Sequence, residues 1–159
     1  MSLSLAFRPL SRLLVMVLLL LASTPTAASG SSAGSNETTR DLDALIRATP
    51  DGGTLRLSAG RYNGGVTIDR PMHITGTKGT VIDGRGRDTV LRVTAPDVTL
   101  SGLTIRGSGD GLEHEDSGVH VTAPRFRVEH CRFEDVLFGI YLRSAEGSVI
   151  DDNRIISKT

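Results

Sequence analysis

Tryptophan is absent from this chain of 159 residues, cysteine occurs once, and aromatic residues make up only 4%. A core built from such a sequence must be aliphatic. The single cysteine, Cys131, excludes an internal disulfide and any cysteine-based zinc cluster. Excess charge of one sign is missing too: 18 basic and 18 acidic residues give zero net charge, which argues against a nucleic-acid binder. Lysine is scarce, with Lys78 and Lys158 the only two, so the cations are nearly all arginine. Catalytic signatures are also lacking. There is no Gly-x-Ser-x-Gly elbow and no convincing Cys/His triad, and Gly84-Arg85-Gly86-Arg87 lacks the spacing and the lysine of a phosphate loop. No catalytic residue is assigned.

What is present begins with a leader. Arg8 and Arg12 precede an unbroken apolar run, Leu13 to Ala22, and the small residues Thr26-Ala27-Ala28 follow. Charge, apolar core and small cleavage site in that order predict a secretory signal over residues 1–28. The run is short of the ~20 residues a spanning helix needs, so no membrane anchor is expected after cleavage. Residues 29–37 (SGSSAGSNE) are small and polar and read as a flexible linker.

Thr38 to Ala48 reads as a short helix, with Thr38 and Asp41 spaced as a capping box. Leu42, Leu45 and Ile46 fall on one face. Pro50-Asp51-Gly52-Gly53 ends it. A region of residues 38–53 is thus predicted to cap the end of a sheet. From Thr54 onward the period changes to short alternating runs separated by Gly, Pro or Asp, the pattern of strands and turns.

The decisive feature is an internal repeat. Val93-Thr94-Ala95-Pro96-Asp97-Val98-Thr99-Leu100 returns 28 residues later as Val121-Thr122-Ala123-Pro124-Arg125-Phe126-Arg127-Val128. Leu103 then aligns with Cys131, and Ile105 with Phe133. A further copy, 21 residues on, aligns Gly118-Val119-His120-Val121 with Gly139-Ile140-Tyr141-Leu142. Short strands at this period, without helices or a leucine-rich ladder, predict an all-β, parallel β-helix (a β-solenoid) over residues 54–159, with about four coils. Stacked coils rise about 4.8 Å each.

Alternation assigns faces to the repeat. Leu91, Val93, Val119, Val121, Ile140 and Leu142 point inward, leaving an outward row of Thr67, Arg92, His120 and Tyr141. Asp69, Thr94, Thr122 and Arg143 form a second outward row. Cys131 and Asn153 take inward corner positions, the cysteine as a small hydrophobe. The acidic loop from Ser108 to Asp116 lies beside the first row. The candidate ligand or partner face is therefore Arg92, His120 and Tyr141 with Glu115 and Asp116 from that loop. His114 and His120 are the weak candidates for a metal.

Residues 60–71 (GRYNGGVTIDRP), 81–86 (VIDGRG), 98–109 (VTLSGLTIRGSG), 116–119 (DSGV) and 133–142 (FEDVLFGIYL) resemble the NosD family. These are periplasmic β-helix proteins of nitrous oxide reductase maturation. The resemblance implies a right-handed parallel β-helix in the periplasm, working with an ABC transporter to assemble the copper–sulfide centre of the reductase. It implies an accessory protein and not an enzyme, with the transporter permease or nitrous oxide reductase as partners. Copper is the one cofactor it raises, and it carries over no ligand residues. Family members continue through several more coils, whereas this sequence stops at Ser157-Lys158-Thr159 without a capping helix, so the β-helix is expected to be incomplete at its C-terminus. A second class stays open: a carbohydrate-active β-helix enzyme, such as a polysaccharide lyase, hydrolase or epimerase, using the outward face as a sugar groove. Asp151-Asp152 would serve it poorly, because neighbouring strand residues face opposite sides.

Overall fold

The computed structural model describes residues 38–159; the leader and linker lie outside them. One helix, α1 (Leu42–Ala48), precedes fourteen strands. Asp41 is its N-cap, the carboxylate accepting from the Ala44 amide at 3.2 Å. The cap therefore falls three residues later than the Thr38–Asp41 spacing predicted. Asp43 and Arg47 form an i,i+4 pair on the solvent side. Leu42 and Ile46 are buried against the first coil, and the Leu42 amide donates to Asn63 Oδ1 at 2.6 Å. The helix covers the N-terminal end of the solenoid, as expected.

The strands are β1 (Thr54–Leu57), β2 (Gly60–Asn63), β3 (Val66–Ile68), β4 (Met72–Gly76), β5 (Thr80–Asp83), β6 (Leu91–Val93), β7 (Val98–Ser101), β8 (Thr104–Arg106), β9 (Ser117–Val121), β10 (Arg127–Glu129), β11 (Arg132–Val136), β12 (Phe138–Leu142), β13 (Val149–Asp151) and β14 (Arg154–Ser157). They sort by threes into parallel sheets. The first sheet is β1-β4-β7-β10-β13, the second β2-β5-β8-β11-β14, the third β3-β6-β9-β12. Each coil visits the three sheets in turn, and every strand pairs with its counterpart in the next coil. Two strands of a fifth coil extend the four coils read from the sequence to about five turns.

The repeat becomes columns of side chains. Tyr62, Ile82, Ile105, Phe133 and Ile155 are register partners in the second sheet. Leu55, Ile74, Leu100, Val128 and Ile150 form the matching column in the first. Leu91, Val93, Val119 and Val121 complete the core from the third sheet and are fully buried. Each such aliphatic side chain contributes about 1.5–3 kcal/mol by leaving water. At the C-terminal end Leu142 of the fourth coil and Ile150 and Ile155 of the fifth hold inward positions but are exposed.

The coils turn on residues with left-handed backbone, and these also stack. Gly102, His130 and Asp152 occupy one corner with φ of 65°, 54° and 45°. The Gly102 amide donates to Glu129 O, and the His130 amide to Asp151 O. Just past this corner Cys131 is buried. Its amide donates to Asn153 Oδ1 at 2.9 Å, and Asn153 Nδ2 donates to Val128 O at 2.9 Å. The inward amide thus staples two coils. Burial pushes the Cys131 thiol up to about 11. A thiol-specific disulfide reagent at pH 7.5 is therefore expected to leave the native protein unlabelled and to label it promptly once unfolded. Rapid native labelling would place Cys131 at the surface.

The junction between the second and third sheets varies most in length. It spans residues 64–65 in the first coil, 84–90 in the second, 107–116 in the third and only residue 137 in the fourth.

Candidate functional site

The longest of these junctions places the candidate site. Residues 107–116 leave β8 and return to β9 through a loop held by its own polar groups. Ser108 is fully buried, and its hydroxyl accepts from the Leu137 amide at 2.9 Å. Asp116 Oδ2 accepts from the Gly111 amide at 2.8 Å, and the Gly109 amide donates to Asp88 O. Lys158, from the fifth coil, donates to Ser108 O at 2.6 Å and pairs with Asp110 at 2.7 Å. The loop is ordered against the body of the solenoid.

The third sheet carries the outward rows as the alternation predicted. Thr67, Arg92, His120 and Tyr141 are successive register partners across four coils. Beside them, the Thr94, Thr122 and Arg143 amides each donate to a strand of the preceding coil. Glu115 reaches over this face from the loop. The Tyr141 hydroxyl donates to Glu115 Oε1 at 2.6 Å, and Glu115 Oε2 lies 4.0 Å from His120 Nε2. The His120 and Tyr141 rings are 5.0 Å apart and tilted by 59°. Four of the five predicted residues, Arg92, His120, Tyr141 and Glu115, are thereby brought together.

Three particulars depart from the sequence reading. His120 faces outward yet is only 8% exposed, because the Tyr141 ring and the Glu115 carboxylate lie over it. Its Nδ1 is buried without a hydrogen-bond partner. Asp116, expected on the face beside Glu115, is buried and serves the loop instead. Its Oδ2 does that work through the Gly111 amide, so it presents nothing to a partner. His114, the other metal candidate, is exposed on the loop, and nothing brings it to His120. Among the described residues no three His, Cys, Asp or Glu side chains converge as a metal-binding group.

Electrostatics set the state of the face. Burial, joined by Arg92 and Arg143 and opposed by Glu115, holds the His120 imidazole below its ordinary range, so the ring is neutral near pH 7. The hydrogen bond to Glu115, with burial, pushes the Tyr141 phenol up. Tyr141 is thus a donor at neutral pH, not a base. Among the described residues neither Arg92 nor Arg143 is paired with an acid. By contrast Arg106 binds Asp83, Arg125 binds Asp97 and Arg132 binds Glu134. Arg143 was visible in the second outward row, but its role beside His120 depends on the fourth coil lying over the third. Asp151 and Asp152 do not form a catalytic pair. Asp152 instead lies 3.4 Å from His130 at an exposed corner.

Stacked coils, a capped first coil and an outer face carrying Arg92, His120, Tyr141 and Arg143 define a parallel β-solenoid. Among the described residues that surface encloses no cavity, and no helix is long and apolar enough to cross a membrane. The chain is 34% identical, over 112 residues, to a Pseudomonas aeruginosa protein named "Probable ABC transporter binding protein NosD". A protein of the same name from Stutzerimonas stutzeri is 33% identical over 109 residues. These matches cover 69% and 67% of this chain but 26% and 25% of the relatives, so the chain spans about a quarter of their length. A second Pseudomonas aeruginosa protein of that name is 36% identical over 67 residues, 42% of this chain and 62% of the relative. Over about two-thirds of its length the chain is therefore NosD-like. No family model matches it, and no solved structure does.

Proposed function

We propose that this protein is a periplasmic accessory component of an ABC transporter, acting in maturation of the copper–sulfide centre of nitrous oxide reductase. The observation that carries the reading is the match over 112 residues to a protein named as transporter-binding. The geometry is consistent with a scaffold. Backbone ladders fix the coils in register, and one open face gathers Arg92, His120, Tyr141 and Glu115. A rigid sheet face holds its side chains in place before a partner arrives, which lowers the ordering cost of association. The copper is cargo of the system, delivered to the reductase.

Deleting the locus tests this. The expected strain exports a reductase that lacks its catalytic copper cluster and does not reduce nitrous oxide. A fully active, copper-replete reductase would overturn the reading. Complementation with a chain carrying Arg92→Ala, His120→Ala and Tyr141→Ala together is expected to fail although the protein folds. Restored reduction by that folded variant would remove the face from the mechanism.

A further inference from the structure

The outer face of the third sheet holds an arrangement that its own packing leaves incomplete. Arg92 and Arg143 project from adjacent outward rows, and among the described residues no acid pairs with either. Their charge still reaches the His120 ring, where both act against its protonation. The one acid in those two rows, Asp69, lies just past β3 and is already paired with Arg70. The carboxylate that does reach the face is Glu115, borrowed from the loop. It accepts one strong bond, from Tyr141 at 2.6 Å, while its second oxygen stops 4.0 Å short of His120 Nε2, beyond hydrogen-bonding distance. A carboxylate offers about four acceptor sites, so Glu115 uses this face sparingly. His120 Nδ1 also lacks a partner.

We propose that this face is a carboxylate-recognition surface for an acidic segment of a partner protein, with Glu115 as an internal stand-in that the partner's carboxylate displaces. The incoming group takes the Tyr141 hydroxyl from Glu115 and gains Arg92 and Arg143. Guanidinium groups bind carboxylates through paired N–H donors, which gives both strength and orientation. The face is a parallel sheet with no enclosed cavity among the described residues, so it suits a chain segment laid across it. This inference rests on the docking role proposed above for the identity of the partner, but its chemistry is tested without one.

The probe is a fluorescently labelled hexaglutamate peptide, titrated at low salt and followed by anisotropy. The protein is compared with Arg92→Gln/Arg143→Gln and with Glu115→Ala, after thermal melts confirm that each variant folds. The double variant is expected to bind about tenfold more weakly or worse. Glu115→Ala removes both the competitor and its negative charge, and is expected to bind about fivefold more tightly. A purely structural role for Glu115 predicts the opposite sign. Equal binding by the protein and the double variant, absent binding by the protein itself, or weaker binding by Glu115→Ala would each overturn the proposal. So would inorganic polyphosphate that binds as tightly with the same dependence on Arg92 and Arg143, since that marks a general polyanion site. Co-purification with the transporter is read separately. If hexaglutamate binds as expected but the protein never associates with the transporter, the accessory role falls and the carboxylate chemistry stands. If the transporter is retained by a double variant that has lost the peptide, the site is not the transporter contact, and the assignment to that partner fails.

Discussion

Phe133→Ala is expected to lower the stability of the protein by about 3–5 kcal/mol, enough to leave a large fraction unfolded at 37 °C. Phe133 is fully buried between Ile105 and Ile155, its register partners in neighbouring coils. With aromatics so scarce, few other side chains fill comparable volume. Its ring also fixes a neighbour. A Cβ added at Gly118 would lie 2.7 Å from Phe133 Cδ1 and 2.7 Å from Gly139 O, so the third sheet approaches the ring as closely as glycine allows. Backbone ladders on both sides hold the coils apart at the strand spacing, and the space vacated by the ring cannot close. Chemical denaturation checks the result: the midpoint should fall sharply at an unchanged slope. A loss below about 1 kcal/mol would mean that the coils collapse into the space.

Asp83→Asn is expected to cost about 2–3 kcal/mol at pH 7, below the range for breaking a fully buried pair because the arginines are partly solvated. The carboxylate is nearly buried on the second sheet. Arg106 donates to Oδ2 through Nε at 3.1 Å and Nη2 at 2.9 Å, Arg61 approaches the same oxygen at 3.3 Å, and the Arg85 amide donates to Oδ1 at 2.8 Å. Burial alone would push this carboxyl up. The Arg85 amide and the two arginines together outweigh it and hold the group below its ordinary range. A depressed carboxyl stabilises the fold above its unfolded pKa, and that stabilisation is lost as pH falls through the folded value. The difference in melting temperature between the protein and Asp83→Asn should thus be full at pH 7 and shrink below about pH 4. A difference that stays constant down to pH 2 would show that the effect is steric and not electrostatic.

The solenoid was legible because its evidence lies in the repeat itself. Val93-Thr94-Ala95-Pro96 and Val121-Thr122-Ala123-Pro124 announce equivalent places in successive coils, and alternation then assigns Leu91, Val93, Val119 and Val121 to the core without reference to any contact. The outward order Arg92, His120, Tyr141 follows by the same rule. Legibility ended where position depended on a neighbouring coil. The first coil has shorter junctions, and β13 and β14 are brief, so the count of turns came out low. Thr38–Asp41 has the spacing of a capping box, but the extended backbone at Asp41 and its bond from the Ala44 amide make Asp41 itself the cap. At the site, the burial of His120 requires Glu115 to fold over from a loop and Tyr141 to arrive from the next coil. The inward turn of Asp116 and the Lys158 tether to Ser108 and Asp110 are likewise tertiary events, with no local pattern to declare them.

The uneven junction between the second and third sheets separates what the molecule can vary from what it cannot. Strand length and strand register are locked together, because a one-residue insertion in any strand would turn its inward column outward. The exposed positions of residues 84–90 and 107–116 bear no such constraint, although Val90 and Ser108 within them are buried. Lengthening or rewriting one of them leaves the ladder intact and changes only what overhangs the face beside it. Loop variation can therefore accumulate at this edge of the molecule, coil by coil, like interchangeable tips on one fixed handle. The loop that delivers Glu115 is one such tip.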